Sequence, residues 1–188
     1  MGEIRSTLDI VLEKTKDMGL SPEEMEEMRR EEWSTKAKRS TTKYLEGIIT
    51  LEGLLKGAEE ASDHYGEYMR GCIIEELIGS LDFSEKTILI RQGLERLSGK
   101  NLKGLFRKIK DTSFSHIQAK QRKRRKVKAL LWKKLEERGI SGSAVEPNVT
   151  CTDEWKEAEK ELESLARSRL EYFRAEIWKL IIIKRRSI

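Results

Sequence analysis

The feature that most constrains the fold is a three- and four-residue spacing of apolar side chains, which recurs over 4–18, 44–72 and 158–180. An α-helix turns once every 3.6 residues, so this spacing places the apolar residues on one helix face. Only 2 prolines interrupt 188 residues, and no strand pattern is longer than a few residues. The sequence therefore predicts an all-α fold, an antiparallel bundle of five to seven helices with at least two long ones and coiled-coil-like packing.

The strongest helix-start signal lies at Leu20–Met25. Ser21 and Glu24 have the spacing of a capping box, in which each side chain binds the other residue's backbone N–H. Pro22 occupies the first helical position, where a missing N–H costs nothing. We predict a helix that begins here and runs without an obvious stop for about 40 residues, until a break or kink near 63–66.

Within that helix, the four-three spacing over 44–72 is strict. The positions of this seam are Tyr44, Ile48, Leu51, Leu55, Ala58, Ser62, Tyr65, Met69 and Cys72, of which only Ser62 is clearly polar. A narrow stripe of this kind buries too little surface to hold a long helix by itself. We therefore expect a homodimer or larger assembly, formed through the 44–72 seam or the C-terminal helix.

The later helices follow from the same spacing and from capping residues. They are predicted over about 66–80, 84–98, 102–109 and 114–138, with Asp82 or Ser84 as an N-cap, an end at Ser98–Gly99 and a bend at Asp111–Ser113. Apolar positions assigned to the last of these include Phe114, Ile117, Val127, Leu130, Leu131 and Leu135.

Small and polar residues, with Pro147, predict a flexible linker over 139–151. The predicted organisation is a helical bundle over 1–138, this linker, and a C-terminal helix over 152–188, capped by Thr150 or Thr152, that packs back on the bundle. We expect the four tryptophans, which are spread across the helices, to anchor packing.

Charge is distributed unevenly along the chain. Residues 1–99 carry a formal charge of −7, residues 100–138 carry +12, and residues 139–188 carry 0. An acidic first half and a basic middle can attract each other in one fold or between two chains, and the basic part can also attract an anionic partner.

The basic part is densest over Lys120–Lys128, with seven positive charges in nine residues and no acidic one. These candidate contacts for an anion or nucleic acid are Lys120, Arg122, Lys123, Arg124, Arg125, Lys126 and Lys128. Three interpretations stay open: a face that is solvated or neutralised by acidic residues such as Glu23–Glu32, a nucleic-acid contact, and an anionic membrane surface. The first is favoured, because no helix-turn-helix, zinc-finger or base-stacking pattern accompanies the run.

Catalytic patterns are absent from the sequence. It contains no GxSxG, P-loop, GxGxxG or HExxH motif. Glu60, His64 and Glu67 make a metal-dependent enzyme a distant third interpretation, because the second Glu-x-x-His unit of a di-iron bundle is missing. Cys72 and Cys151 form no CxxC pair, and we expect Cys72 to be a core residue and Cys151 the more exposed thiol. No cofactor, metal or catalytic residue is predicted.

The chain begins Met1–Asp9 with MGEIRSTLD, without the apolar region of a signal peptide, and no apolar run is long enough to span a membrane. A cytoplasmic protein is therefore expected. This opening, followed by Leu20–Glu24, resembles the start of small bacterial helical proteins of unknown function. The resemblance covers the first quarter of the chain and implies a soluble bacterial protein, with no activity and no functional residue to carry over.

Taken together, these features predict a non-enzymatic interaction or scaffold protein that acts as an oligomer. The alternative is a nucleic-acid-binding protein that uses Lys120–Lys128.

Overall fold

A computed structural model describes residues 21–59, 63–140, 142 and 145–182, and every regular element in these ranges is helical. The elements are α1 (Pro22–Leu45), α2 (Leu51–Glu59), α3 (Asp63–Gly79), α4 (Thr87–Ser98), α5 (Lys103–Glu136), a 3-10 turn (Val149–Cys151) and α6 (Asp153–Ile182). The all-α prediction is confirmed, while the antiparallel bundle of the whole chain stays a prediction. The helix predicted over 4–18 and the seam position Ser62 lie outside the described residues.

The chain divides into two compact units between Ile73 and Ile74. Among the described residues of the first unit, the buried apolar side chains are Ala37, Tyr44, Leu45, Leu54, Ala58, Met69, Cys72 and Ile73. In this unit the Tyr65 hydroxyl donates to Glu26 Oε2 at 2.6 Å, and its ring stacks on Trp33 with centroids 6.1 Å apart. These contacts join α3 to α1. The linker predicted over 139–151 lies inside the second unit.

The predicted start of the long N-terminal helix is confirmed at α1. The Glu24 N–H donates to Ser21 Oγ at 3.1 Å, and the Ser21 N–H donates to Glu24 Oε2 at 2.7 Å, with Pro22 in the first turn. This pair satisfies two of the N–H groups that have no partner inside the helix.

Replacing Ser21 by alanine is expected to lower the free energy of unfolding by about 1 kcal/mol, because the N–H of Glu24 loses its acceptor. Amide hydrogen exchange at Glu24 should accelerate. Thr35→Ala, at an exposed position in the middle of α1, is the control and should change stability by less than about 0.5 kcal/mol. Equal effects of the two variants in urea denaturation would contradict a capping role.

The predicted uninterrupted helix is wrong, because α1 ends at Leu45 and α2 begins at Leu51. Gly47 adopts a φ of +74°, a left-handed conformation that ends a helix, and the N–H of Ile48 donates back to Lys43 O at 2.8 Å. The break expected near 63–66 lies close to an observed helix boundary, since α2 ends at Glu59 and α3 begins at Asp63, but Gly66 and Gly71 lie inside α3. Glycines inside a helix are tolerated when tertiary packing compensates for them.

The turn at Gly47 also breaks the 44–72 seam. Ile48 is 66% exposed, whereas Tyr44, Ala58, Met69 and Cys72 are buried inside the first unit. The seam is therefore not one continuous helix face, and the prediction that it forms a single coiled-coil surface is wrong.

Gly47→Ala should lower the free energy of unfolding by about 1–2 kcal/mol, since the left-handed conformation brings an added Cβ close to the following carbonyl oxygen. Gly104→Ala is the matched control: Gly104 lies in the first turn of α5, where a Cβ would meet nothing within 4 Å. That substitution should be neutral or stabilising. Thermal unfolding of both variants measures the difference, and a stabilised Gly47→Ala protein would refute the assignment of this turn.

The boundaries of α4 follow local hydrogen bonds. The prediction of Asp82 or Ser84 as its N-cap is wrong, because α4 begins later, at Thr87. Asp82 Oδ1 instead accepts from the Ser84 N–H at 2.9 Å, which forms a turn before the helix. The predicted end is confirmed, since Gly99 has a φ of +65° and its N–H donates to Glu95 O.

The bend predicted at Asp111–Ser113 is wrong as well, because α5 is one helix of 34 residues. The hydroxyl groups of this segment bind backbone carbonyl groups: Ser115 Oγ donates to Asp111 O at 2.9 Å, and Ser113 Oγ donates to Phe83 O at 3.3 Å. Serine side chains bonded in this way remain compatible with a continuous helix.

Arg174 of α6 binds the C-terminal end of α3. Its Nη2 donates to the backbone oxygens of Gly79 and Leu81 at 2.7 and 2.9 Å. The last carbonyl groups of a helix have no partner inside the helix, and a guanidinium group carries both the donors and the positive charge that suit them. This contact fixes α6 against the end of α3 in the second unit.

Candidate nucleic-acid interface

Two ion pairs connect α5 and α6, which lie side by side as a helical hairpin. Lys134 Nζ lies 2.9 Å from Glu154 Oε1, and Lys120 Nζ lies 2.6 Å from Glu159 Oε1. The later residue of α5 thus meets the earlier residue of α6, which is the order of an antiparallel pair. The hydrogen bond from Lys134 holds the pKa of Glu154 below its usual range, and the attraction of the Lys134 charge adds to this effect.

An apolar cluster joins α5, the 3-10 turn and α6. Val127, Val149 and Trp155 are each 4% exposed and pack together, with Leu131 partly buried against them. The Trp155 N–H donates to Thr152 Oγ1 at 3.3 Å. Thr152, one of the two predicted capping residues, is therefore the N-cap of α6. The end of the predicted linker is thus held on α5 by Val149.

Of the four tryptophans, Trp155 agrees best with the prediction that these residues anchor helix packing. It is buried, whereas Trp33, Trp132 and Trp178 are partly exposed. The thiol predictions agree with the structure, which buries Cys72 and exposes Cys151.

Two of the seven predicted contact residues are engaged inside the second unit. Lys120 pairs with Glu159 and lies 6.0 Å from the centroid of the Trp155 ring. Lys128 Nζ lies 2.8 Å from Glu146 Oε1. Hydrogen bonding to Lys128 holds the pKa of Glu146 below its usual range, and the charges of Lys128 and Arg124 act in the same direction. Acidic residues of the linker and of α6 therefore pair with two cations of the basic run, while the seven-residue contact stays a prediction.

The other five residues, Arg122–Lys126, are all exposed, and we call them the basic surface. None of them forms an ion pair within the described part of the chain; Arg122 Nη2 donates to Gln118 Oε1 at 3.0 Å. Five successive helical residues turn through more than one full revolution, and Val127 directly after them is buried. Their charges therefore cover the solvent-facing side of α5 as well as its flanks.

A shallow groove runs along the edge of the basic surface. One part has a volume of about 260 Å³ and is lined by Gln121, Arg124, Arg125, Lys128, Glu146, Pro147 and Val149. The next part, of about 210 Å³, is lined by His116, Ile117, Lys120, Gln121, Arg124 and Trp155. Gln121 and Arg124 belong to both parts. A phosphate chain that contacts the basic surface thus has a concave edge beside it, to which Arg124 and Arg125 contribute positive charge.

Phe114, Ile117 and Leu130, which are among the apolar positions predicted for this helix, lie outside its packed side. All three are exposed, Phe114 by 62%. At 3.6 residues per turn, Phe114 lies about 140° around α5 from the buried Val127. A helical wheel centred on Val127 would have found Phe114 on the outer side, but the sequence does not reveal that α6 covers only one narrow side of α5.

The remaining polar candidates are the two histidines and their acidic neighbours. The His116 ring packs against Phe83 with centroids 6.0 Å apart, as expected for a packed ring. Across the described ranges, no group of three or more His, Cys, Asp or Glu side chains is placed to hold a metal ion. Glu60 lies outside these ranges, so the arrangement predicted around His64 is not described.

Comparison with protein-family models, with curated proteins and with solved structures finds no match for this chain. The resemblance of its opening residues to small bacterial helical proteins stays an expectation. Of the helices in the described residues, none combines the length and the apolar character needed to cross a bilayer.

Proposed function

We propose that this chain is a non-enzymatic nucleic-acid-binding protein and that the basic surface of α5 is its contact surface. The observation that supports the proposal is the exposure of five successive cations, Arg122–Lys126, with no ion pair within the described residues. Phosphate groups attract such a surface, and the release of their counterions drives binding. The proposal includes a cytoplasmic location.

The length of α5 also supports this function. Its 34 residues extend over about 50 Å, and its first half adds the exposed cations Lys103, Arg107, Lys108 and Lys110. A long cationic helix presents charge along a line, as a nucleic-acid backbone does. A surface that contacts about five phosphates should show a strong dependence on salt.

Fluorescence anisotropy with labelled single strands and duplexes of about 20 nucleotides tests the proposal. We expect binding at about 50 mM salt and a loss of affinity on the order of 100-fold at about 200 mM. If neither nucleic acid binds at the lower salt concentration, the proposal is wrong.

A second candidate function is a scaffold that self-associates through α6. Leu165 and Tyr172 are 59% and 60% exposed and lie seven residues apart on the same side of this helix, which is the spacing of a coiled-coil contact. Light scattering at high protein concentration should then report a dimer, and Leu165→Glu should return it to a monomer. A wild-type protein that is strictly monomeric would rule out this scaffold.

A further inference from the structure

We infer that the ligand of α5 is single-stranded nucleic acid and that Phe114 stacks against its bases. The inference rests on the proposed function and adds the form of nucleic acid that this surface selects. It follows from the position of one exposed aromatic ring relative to the basic surface.

Phe114 stands on the same line along α5 as part of the basic surface. Spacings of four, three and four residues connect Phe114, Gln118, Gln121 and Arg125, and residues at these spacings share one helix face. Arg122 binds the Gln118 side chain at 3.0 Å beside this line. An exposed ring, two amide groups and guanidinium groups thus follow one another on the solvent-facing side.

Cations lie on both sides of the Phe114 ring. Arg107 and Lys110 are exposed toward the start of α5, and Arg122 and Arg125 follow toward its end. The distance from Arg107 to Arg125 along the axis is about 27 Å. A strand whose phosphates bind at both ends of this line carries its bases past the ring.

This arrangement distinguishes a single strand from a duplex. The bases of a duplex are stacked on one another inside the double helix, out of reach of a side chain on a helix surface. The bases of a single strand are free to stack on an aromatic ring while its phosphates meet cations, and stacking is tolerant of sequence because every base has a π-face. Single leucines and phenylalanines on a surface are common, but this ring lies between cations on a line that a strand can follow.

The test compares Phe114→Leu with wild type, using labelled oligo-dT, oligo-U and a duplex of about 20 nucleotides each. Loss of the ring should weaken binding of the single strands about tenfold and leave duplex affinity unchanged. Phe114→Tyr retains a ring and should bind as wild type does. Leu130→Ala, another exposed apolar position of α5, is the control and should leave both affinities unchanged. The oligo-dT and oligo-U arms separate a DNA ligand from an RNA ligand.

The outcomes separate this inference from the proposed function. If wild type binds the duplex as tightly as the single strands, or if Phe114→Leu weakens both equally, the stacking role is wrong while nucleic-acid binding by the basic surface stands. If wild type binds none of the three probes at about 50 mM salt, the proposed function fails and the inference fails with it.

Discussion

Replacing Arg122, Arg125 and Lys126 by glutamine is expected to weaken nucleic-acid binding on the order of 100-fold at low salt. Each of these side chains is exposed and forms no ion pair in the described part of the chain. Each is therefore available for a charge-assisted hydrogen bond to a phosphate, which contributes about 1 kcal/mol at an exposed site. The slope of log affinity against log salt should also fall by about 2–3, because three fewer phosphates are neutralised.

A control with the same change in net charge separates a local contact from general attraction. Lys160, Arg167 and Arg169 are exposed on α6, so the triple glutamine variant at these positions removes three positive charges outside the basic surface. We expect this control to lose less than about fivefold in affinity. Equal losses in the two triple variants, measured by anisotropy at matched salt, would show that net charge and not the basic surface drives binding.

Lys120 and Lys128 are expected to contribute little to the same measurement. Their charges are partly neutralised by Glu159 and Glu146, so each would have to leave an ion pair to reach a phosphate. The basic run is uniform in sequence, but its cations differ in the structure. Lys120 and Lys128 form ion pairs, whereas the five residues of the basic surface form none within the described residues.

The largest effect on stability is expected for Trp155→Ala, which should lower the free energy of unfolding by about 3–5 kcal/mol. Trp155 is 4% exposed and packs with Val127 and Val149, so the substitution leaves a cavity where α5, the 3-10 turn and α6 meet. Ser164→Ala, at an exposed position of α6, is the control and should change stability by less than about 0.5 kcal/mol.

Urea denaturation monitored by circular dichroism measures both variants. A loss below about 1 kcal/mol for Trp155→Ala would mean that the cluster does not hold the hairpin together. Since the same cluster holds Val149 on α5, we also expect faster amide exchange in the 3-10 turn of this variant.

Features that depend on neighbouring residues in the chain could be predicted well. The capping box of Ser21 and Glu24 and the end of α4 at Gly99 form within a few residues, so their hydrogen bonds and backbone angles follow from local chemistry. The all-α class follows from apolar spacing for the same reason, since a helix repeats over short distances. The basic run was equally visible, because charge is a property of composition.

Features that depend on which surfaces meet were decided by tertiary structure. The 44–72 spacing looked like one seam, but the left-handed Gly47 divides it and leaves Ile48 exposed. Phe114 was one of several apolar positions on its helix, and it is exposed because α6 packs on the side of α5 that carries Val127. Burial and ion pairing join residues far apart in the chain, as Lys120 with Glu159 and Val127 with Trp155 show. A one-dimensional pattern records the helix faces but not the partners that cover them.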